Sequence, residues 1–136
     1  MSDVTRILCE HFGWERFAAP MILEGGAFSV DGEGTLITTE SCLLHPTRNP
    51  GLSKEEQEAI LRDYLGAEKV VWLAAGRTEA TDTDGHVDGV CHFVAPGRVI
   101  LHMVHEPDHV DFANFRENRR VLDETGDARG RSFEVL

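Results

Sequence analysis

The chain has 136 residues, 41% of them hydrophobic and 27% charged, which suits one folded domain and excludes a disordered chain. Thirteen Lys and Arg stand against twenty-four Asp and Glu, and the formal charge of −11 argues against binding a nucleic-acid backbone while suiting a cationic ligand. No stretch approaches the ~20 apolar residues of a membrane helix, the N-terminus lacks the pattern of a secretory signal, and three scattered cysteines (Cys9, Cys42, Cys91) read as reduced thiols of a cytoplasmic protein.

Residues 3–12 place Val4, Ile7, Leu8 and Cys9 near helical spacing before Gly13, predicting a short helix. Residues 21–23 read as an apolar strand and residues 27–30 as a second extended piece. The run Asp31-Gly32-Glu33-Gly34 predicts a hairpin turn, with residues 35–39 as the returning strand. Residues 42–44 are short and apolar, so Cys42 reads as a strand residue, and residues 45–51 form a loop with two prolines. Ser53-Lys54-Glu55-Glu56 has the form of a capping box; the helix it opens runs to about Leu65, burying Ile60, Leu61 and Leu65, and stops at Gly66. A buried strand over 70–73, a polar segment over 74–88, and strands over 90–94 and 99–104 follow. A helix over 109–125, with Val110, Phe115, Val121 and Leu122 apolar, and a last strand over 132–136 complete the chain.

Written as elements, the chain is strand, strand, helix, strand, twice, and the copies align at an offset of 63 residues. Gly26 falls on Gly89, the turn over 31–34 on 94–97, and residues 70–73 on 133–136. The fold class is therefore α/β, with one ββαβ unit over about 20–73, a second over about 86–136, and residues 1–19 as a lead-in helix and loop. The alternative is a coincidental α+β arrangement. Two units with open strand edges invite further partners, so self-association into a homo-oligomer is expected, and the stop at the end of the second unit reads as a piece of something longer.

The densest polar run is Asp82-Thr83-Asp84-Gly85-His86-Val87-Asp88-Gly89. If it is extended, His86 and Asp88 point the same way at the mouth of a strand. An imidazole beside a carboxylate suits general acid–base work, and Asp88 can equally grip a planar cation through paired hydrogen bonds. A polar loop with Asp-Gly turn chemistry explains the run as well. Glu24-Gly25-Gly26 opens the equivalent strand of the first unit, and its glycines permit close approach of a ligand to the backbone. Five histidines fall within residues 86–109, but His102 sits in a strand-like run and His92 inside a strand, so no metal or other cofactor is expected.

Five motifs occur in order: Met21-Ile22-Leu23-Glu24-Gly25-Gly26, Val30-Asp31-Gly32-Glu33-Gly34-Thr35, Thr38-Thr39-Glu40-Ser41-Cys42-Leu43-Leu44, Arg48-Asn49-Pro50 and Thr83-Asp84-Gly85-His86-Val87-Asp88. Through them the chain resembles, over nearly its whole length, the agmatine deiminase family, grouped with bacterial-type peptidyl-arginine deiminases. The resemblance implies the α/β propeller of guanidino-group-modifying enzymes, built from five ββαβ units, of which two are present. It implies a hydrolase in which a cysteine thiolate attacks the guanidinium carbon of a small cationic substrate, ammonia leaves, and water releases a ureido product. His86 would act as acid and then base, Asp88 would grip the guanidinium, and Glu24 and Asp84 would line the substrate site.

The departures from the family pattern are as informative. Its upstream Trp-x-Arg-Asp-x-Gly-Pro motif has no match, since Trp14-Glu15-Arg16 lacks the Asp and the Gly-Pro. None of Cys9, Cys42 or Cys91 has the glycine-rich context of the family's nucleophile. Gly89 replaces a usual asparagine, and Ala27-Phe28-Ser29 replaces a usual Ser-Ile-His. The expectation for this chain alone is that it does not turn over substrate. Three readings follow: a middle portion of a longer deiminase, a free-standing guanidinium-binding or assembly module, or a histidine-rich metal hydrolase.

Overall fold

The hairpin turn behaves as its residues dictate. Asp31 Oδ1 accepts from the backbone N–H groups of Glu33 (2.7 Å) and Thr35 (2.9 Å), and Gly32 and Gly34 take the positive φ values of 76° and 97° that the tight return requires. It joins β1 (Phe28–Val30) to β2 (Thr35–Thr39) in antiparallel register, Phe28 opposite Thr38 and Val30 opposite Leu36. The computed structural model describes residues 2–80 and 82–136. Thr81, in the polar segment expected over 74–88, lies outside them.

After β2 the chain makes one helical turn, α2 (Glu40–Leu43), and then α3 (Lys54–Leu65). The capping box at α3 forms as its sequence predicts: Ser53 Oγ accepts from the N–H of Glu56, and the Glu56 carboxylate accepts from the N–H of Ser53 at 2.7 Å. Gly66 closes the helix in the left-handed conformation (φ 68°). The chain then returns as β3 (Lys69–Leu73), parallel to β2, with Thr35 opposite Lys69 and Thr39 opposite Leu73. The second unit repeats the pattern: β4 (Cys91–Ala95) antiparallel to β5 (Arg98–Leu101), α4 (Phe112–Glu124), and β6 (Glu134–Val135) parallel to β5. The result is two three-stranded sheets of one topology, β1-β2-β3 and β4-β5-β6.

Strand alternation decides how they pack. Leu36 and Trp72 face α3 and join Leu61, Cys42, Leu43, Ala27 and Ala67 in one core cluster. Ile37, Val71 and Leu73 face the other way and join Phe115 and Leu122 of α4, together with Val87, Val99 and Leu101 of the second unit. The first sheet is thus covered on one side by its own helix and on the other by the helix of the following unit. Asn118 of α4, fully buried, fixes this contact by bonding both the N–H (3.3 Å) and the carbonyl (2.7 Å) of Ala75. Across the junction, Thr35 Oγ1 accepts from the N–H of Ala128 (3.0 Å), and the Arg131 side chain reaches Glu33 (2.6 Å). Among the described residues no helix is long and apolar enough to cross a membrane.

Several expectations are corrected. Residues 21–23 are not a strand: the Asn49 side chain takes both the N–H of Ile22 (2.7 Å) and its carbonyl (3.1 Å), doing for that backbone what a neighbouring strand would. Cys42 belongs to the helical turn α2 rather than a strand, since four residues are too few for periodicity to separate the two. Of the three apolar residues expected to be buried in α3 only Leu61 is: Ile60 is half-buried and Leu65, in the last turn, is 43% exposed, whereas the polar Gln57 is buried. The strand expected over 99–104 ends at Leu101, and Val110 precedes α4 and is exposed.

Candidate active site

Glu24 leads into a 3-10 turn over Gly25–Ala27, and His86 leads into another over Val87–Gly89. These turns stand before the first strand of each unit, so the repeat brings them together where the units meet. The extended backbone expected over His86–Asp88 is therefore replaced by a 3-10 turn. The two side chains nevertheless converge, because both reach over Gly26: a β-carbon there would lie 2.6 Å from His86 Nδ1 and would overlap the Asp88 carboxylate. Only glycine leaves room for this approach.

The other face of the imidazole meets Glu24, whose Oε2 lies 3.7 Å from His86 Nε2. That nitrogen is buried and has no hydrogen-bond partner among the described residues, while the His86 side chain is 13% exposed. Asp88 is exposed and its carboxylate enters no hydrogen bond or ion pair among the described residues, so it is open to a ligand. Asp84, the fourth candidate, is tied to this trio through Arg48. It adopts a positive φ of 56°, and its carboxylate takes a bond from Arg48 Nη2 at 3.0 Å, with His45 Nδ1 3.7 Å away.

Arg48 is the residue that sequence reasoning missed, although it stands in one of the quoted motifs. Its guanidinium donates to the Glu24 carboxylate, to Asp84 and to the Thr83 carbonyl (3.1 Å), and its side chain is only 8% exposed. Burial opposes the Arg48 charge, but the bond to Asp84 and the nearby Glu24 carboxylate outweigh it and hold the group more firmly protonated than usual. The available signal was an arginine inside a two-proline loop of an acidic chain, which marks a place but no role.

Two of the three cysteines are buried as thiols. Cys42 lies beneath the cluster, and burial pushes its thiol up to about 11; Arg48 opposes this, and Glu24, Asp84 and Asp88 add to it. Burial alone pushes the Cys91 thiol up to about 12. Both are fully buried, whereas Cys9 on α1 (Ser2–Phe12) is half-buried. A thiol reagent at pH 8 is expected to label one cysteine per chain quickly in the native state, and all three only on unfolding. Rapid native labelling that maps to Cys42 by mass spectrometry would show a thiolate available inside the site.

Three further histidines of the second unit, His92, His102 and His109, serve packing and turns. The His102 ring lies 5.1 Å from that of Phe115, His109 Nδ1 accepts from the N–H of Asp111 (3.1 Å), and His92 Nε2 bonds the Asp88 carbonyl (2.7 Å). Among the described residues no group of three His, Cys, Asp or Glu is placed to hold a metal ion.

Comparison with known proteins places the chain in a wider group. The family model of Porphyromonas-type peptidyl-arginine deiminase matches residues 1–136. An agmatine deiminase of Pseudomonas fluorescens is 47% identical over 93% of this chain and 33% of its own length. Among solved structures, an agmatine deiminase of Enterococcus faecalis matches 96% of this chain and 36% of its own at 40% identity, with a TM-score of 0.87. A C. jejuni agmatine deiminase, a cysteine-to-serine variant with substrate bound, matches 97% and 38% at 26% identity, with a TM-score of 0.82. The chain spans about a third of the length of the curated relatives it matches.

Proposed function

The chain belongs to the Porphyromonas-type peptidyl-arginine deiminase family, and from that membership we propose that it carries the guanidinium-binding and acid–base side of an agmatine deiminase-type site. The observation that carries the proposal is the convergence of His86 and Asp88 over Gly26, with Glu24 on the far side of the imidazole. Asp88, free and exposed, supplies two oxygens to the flat face-edge of a guanidinium. That bidentate grip fixes the carbon for attack and leaves His86 beside the departing nitrogen. In the complete reaction a thiolate adds to the guanidinium carbon and ammonia leaves with a proton from the imidazole. Water, deprotonated by the same imidazole, then frees the ureido product; with agmatine the products are N-carbamoylputrescine and ammonia, on a route to putrescine.

The thiolate is what this chain does not supply. Cys42 and Cys91 are held protonated by burial, and Cys9 lies on a separate helix, so turnover by the chain alone is expected to be undetectable. The cysteine-to-serine substitution in the substrate-bound C. jejuni relative agrees with cysteine chemistry in that protein. We take the fold as two of the five units of an α/β propeller. Its support is register: Ile100 of β5 stands where Ile37 stands in β2, yet Ile37 is covered by α4 and Ile100 is 51% exposed, as a face awaiting the next unit would be. The exposed Val4, Ile7, Leu8 and Phe12 of α1 favour self-association or a further unit in the same way, and the free cysteines suit a cytoplasmic setting.

Calorimetry with agmatine tests the reading. Binding is expected in the unaltered chain, and Asp88→Ala and His86→Ala are expected to weaken it by about tenfold or more, the worth of a charged hydrogen bond. No heat from the unaltered chain, or equal affinity in both variants, would overturn the proposal, and steady ammonia release would overturn the claim of inactivity.

A further inference from the structure

We propose that Arg48 is a positioning residue of this site, a cross-brace that fixes Glu24 beside His86 and leaves Asp88 as the carboxylate free for the ligand. The inference rests on the reading of the site as a guanidinium pocket, and deepens it.

The Arg48 loop is itself anchored before it reaches the site. The Asn49 side chain clamps both backbone groups of Ile22, so the residue next to Arg48 is tied to the segment that leads into Glu24. From that anchor one guanidinium spans two distant parts of the chain. Nη1 bonds the Glu24 carboxylate of the first unit, while Nη2 bonds Asp84 Oδ2 (3.0 Å) and the Thr83 carbonyl (3.1 Å) in the loop that carries His86. A planar fork can hold two carboxylates at once with fixed geometry; a lysine ammonium supplies the charge without the fork.

Electrostatics makes the brace necessary. Glu24, Asp84 and Asp88 all act on the Cys42 thiol, so three negative charges share one small region. Without a cation they would repel and splay, and Glu24 would drift from His86. Arg48 neutralises that charge locally, and its two carboxylate bonds fall on Glu24 and Asp84, not on Asp88. Ligand recognition then passes to Asp88, which has no competing partner among the described residues. The buried, unpartnered Arg48 Nε agrees with a group seated to serve its two carboxylates rather than its own full complement of bonds.

The test uses the full chain, with Arg48→Ala and Arg48→Lys. Amide hydrogen exchange is read without ligand, and agmatine affinity is read by calorimetry. Arg48→Ala is expected to speed exchange over residues 82–88 by about tenfold, with β2 and β3 unchanged, and to weaken agmatine by about tenfold. In an Asp88→Ala background, where the pocket loses its grip on a guanidinium, millimolar methylguanidinium, refilling the vacated slot, is expected to restore slow exchange in the Arg48→Ala chain and to do nothing to the chain that keeps Arg48. Arg48→Lys is expected to recover only part of the affinity. Exchange that stays slow in Arg48→Ala overturns the brace, and so does acceleration spread over the whole molecule that methylguanidinium does not reverse. If the unaltered chain fails to bind agmatine while the exchange pattern and its rescue hold, the ligand reading falls and the brace stands.

Discussion

Gly76→Ala is expected to destabilise the protein by about 3 kcal/mol and to lower its melting temperature by roughly 10 °C. A β-carbon at Gly76 would sit 2.5 Å from the Gly85 α-carbon and overlap the Gly85 carbonyl group. The obstacle is backbone rather than the end of a flexible side chain, and that backbone is pinned: Gly85 has a φ of 83°, and its carbonyl accepts from Thr39 Oγ1 at 2.7 Å. On the other side, Ser41 Oγ accepts from the N–H of Gly76 at 3.1 Å. Nothing can yield without losing a buried hydrogen bond or moving the residue before His86. Thermal and urea unfolding measure the cost, and Gly25→Ala, whose β-carbon would meet nothing within 4 Å, is the control. A Gly76→Ala protein as stable as that control would mean the two loops do not touch.

The second large effect falls on binding and spares the fold. Gly26→Ala places a methyl group where the Asp88 carboxylate and His86 Nδ1 approach, and both can swing away because they are side-chain ends, Asp88 exposed. Stability is therefore expected to stay within about 1 kcal/mol of the parent, helped by the lower chain entropy of alanine. The shared grip on a planar cation is lost, so agmatine affinity in calorimetry is expected to fall by about a hundredfold, two charged contacts being displaced together. The neighbouring Gly25→Ala should bind as the parent does. Equal affinity in Gly26→Ala would show that His86 and Asp88 do not act on one ligand.

What could be read in advance was local chemistry. The capping box at Ser53, the stop at Gly66, the Asp31–Gly34 turn and β2 all follow from residues a few positions apart, and the structure has them where the motifs stand. The repeat gave the order of elements in both units, and the pairing within each sheet came from the structure. Long-range substitutes for regular structure were invisible: nothing near residues 21–23 says that an asparagine far along the chain will satisfy Ile22. Helical spacing put Leu65 on the buried face but could not say that the last turn of α3 leaves it exposed. For the site, Glu24, His86 and Asp88 were legible as motif residues, and the structure brings them together by a route other than strand alternation. Arg48 was illegible as a participant because its role depends on partners in two separate segments.

The placement of α4 has a consequence for how the molecule can be divided. The repeat draws its border between residues 73 and 86, but Ile37, Val71 and Leu73 finish their packing on Phe115 and Leu122 beyond that border. Scission there would not release two modules. It would leave the amino-terminal half with one side of its sheet stripped to water, and would cut Glu24 away from His86 and Asp88 in the same stroke. The smallest piece able to hold the cluster in place is a sheet together with its successor's helix, so stability and the pocket are properties of adjacency and neither half owns them.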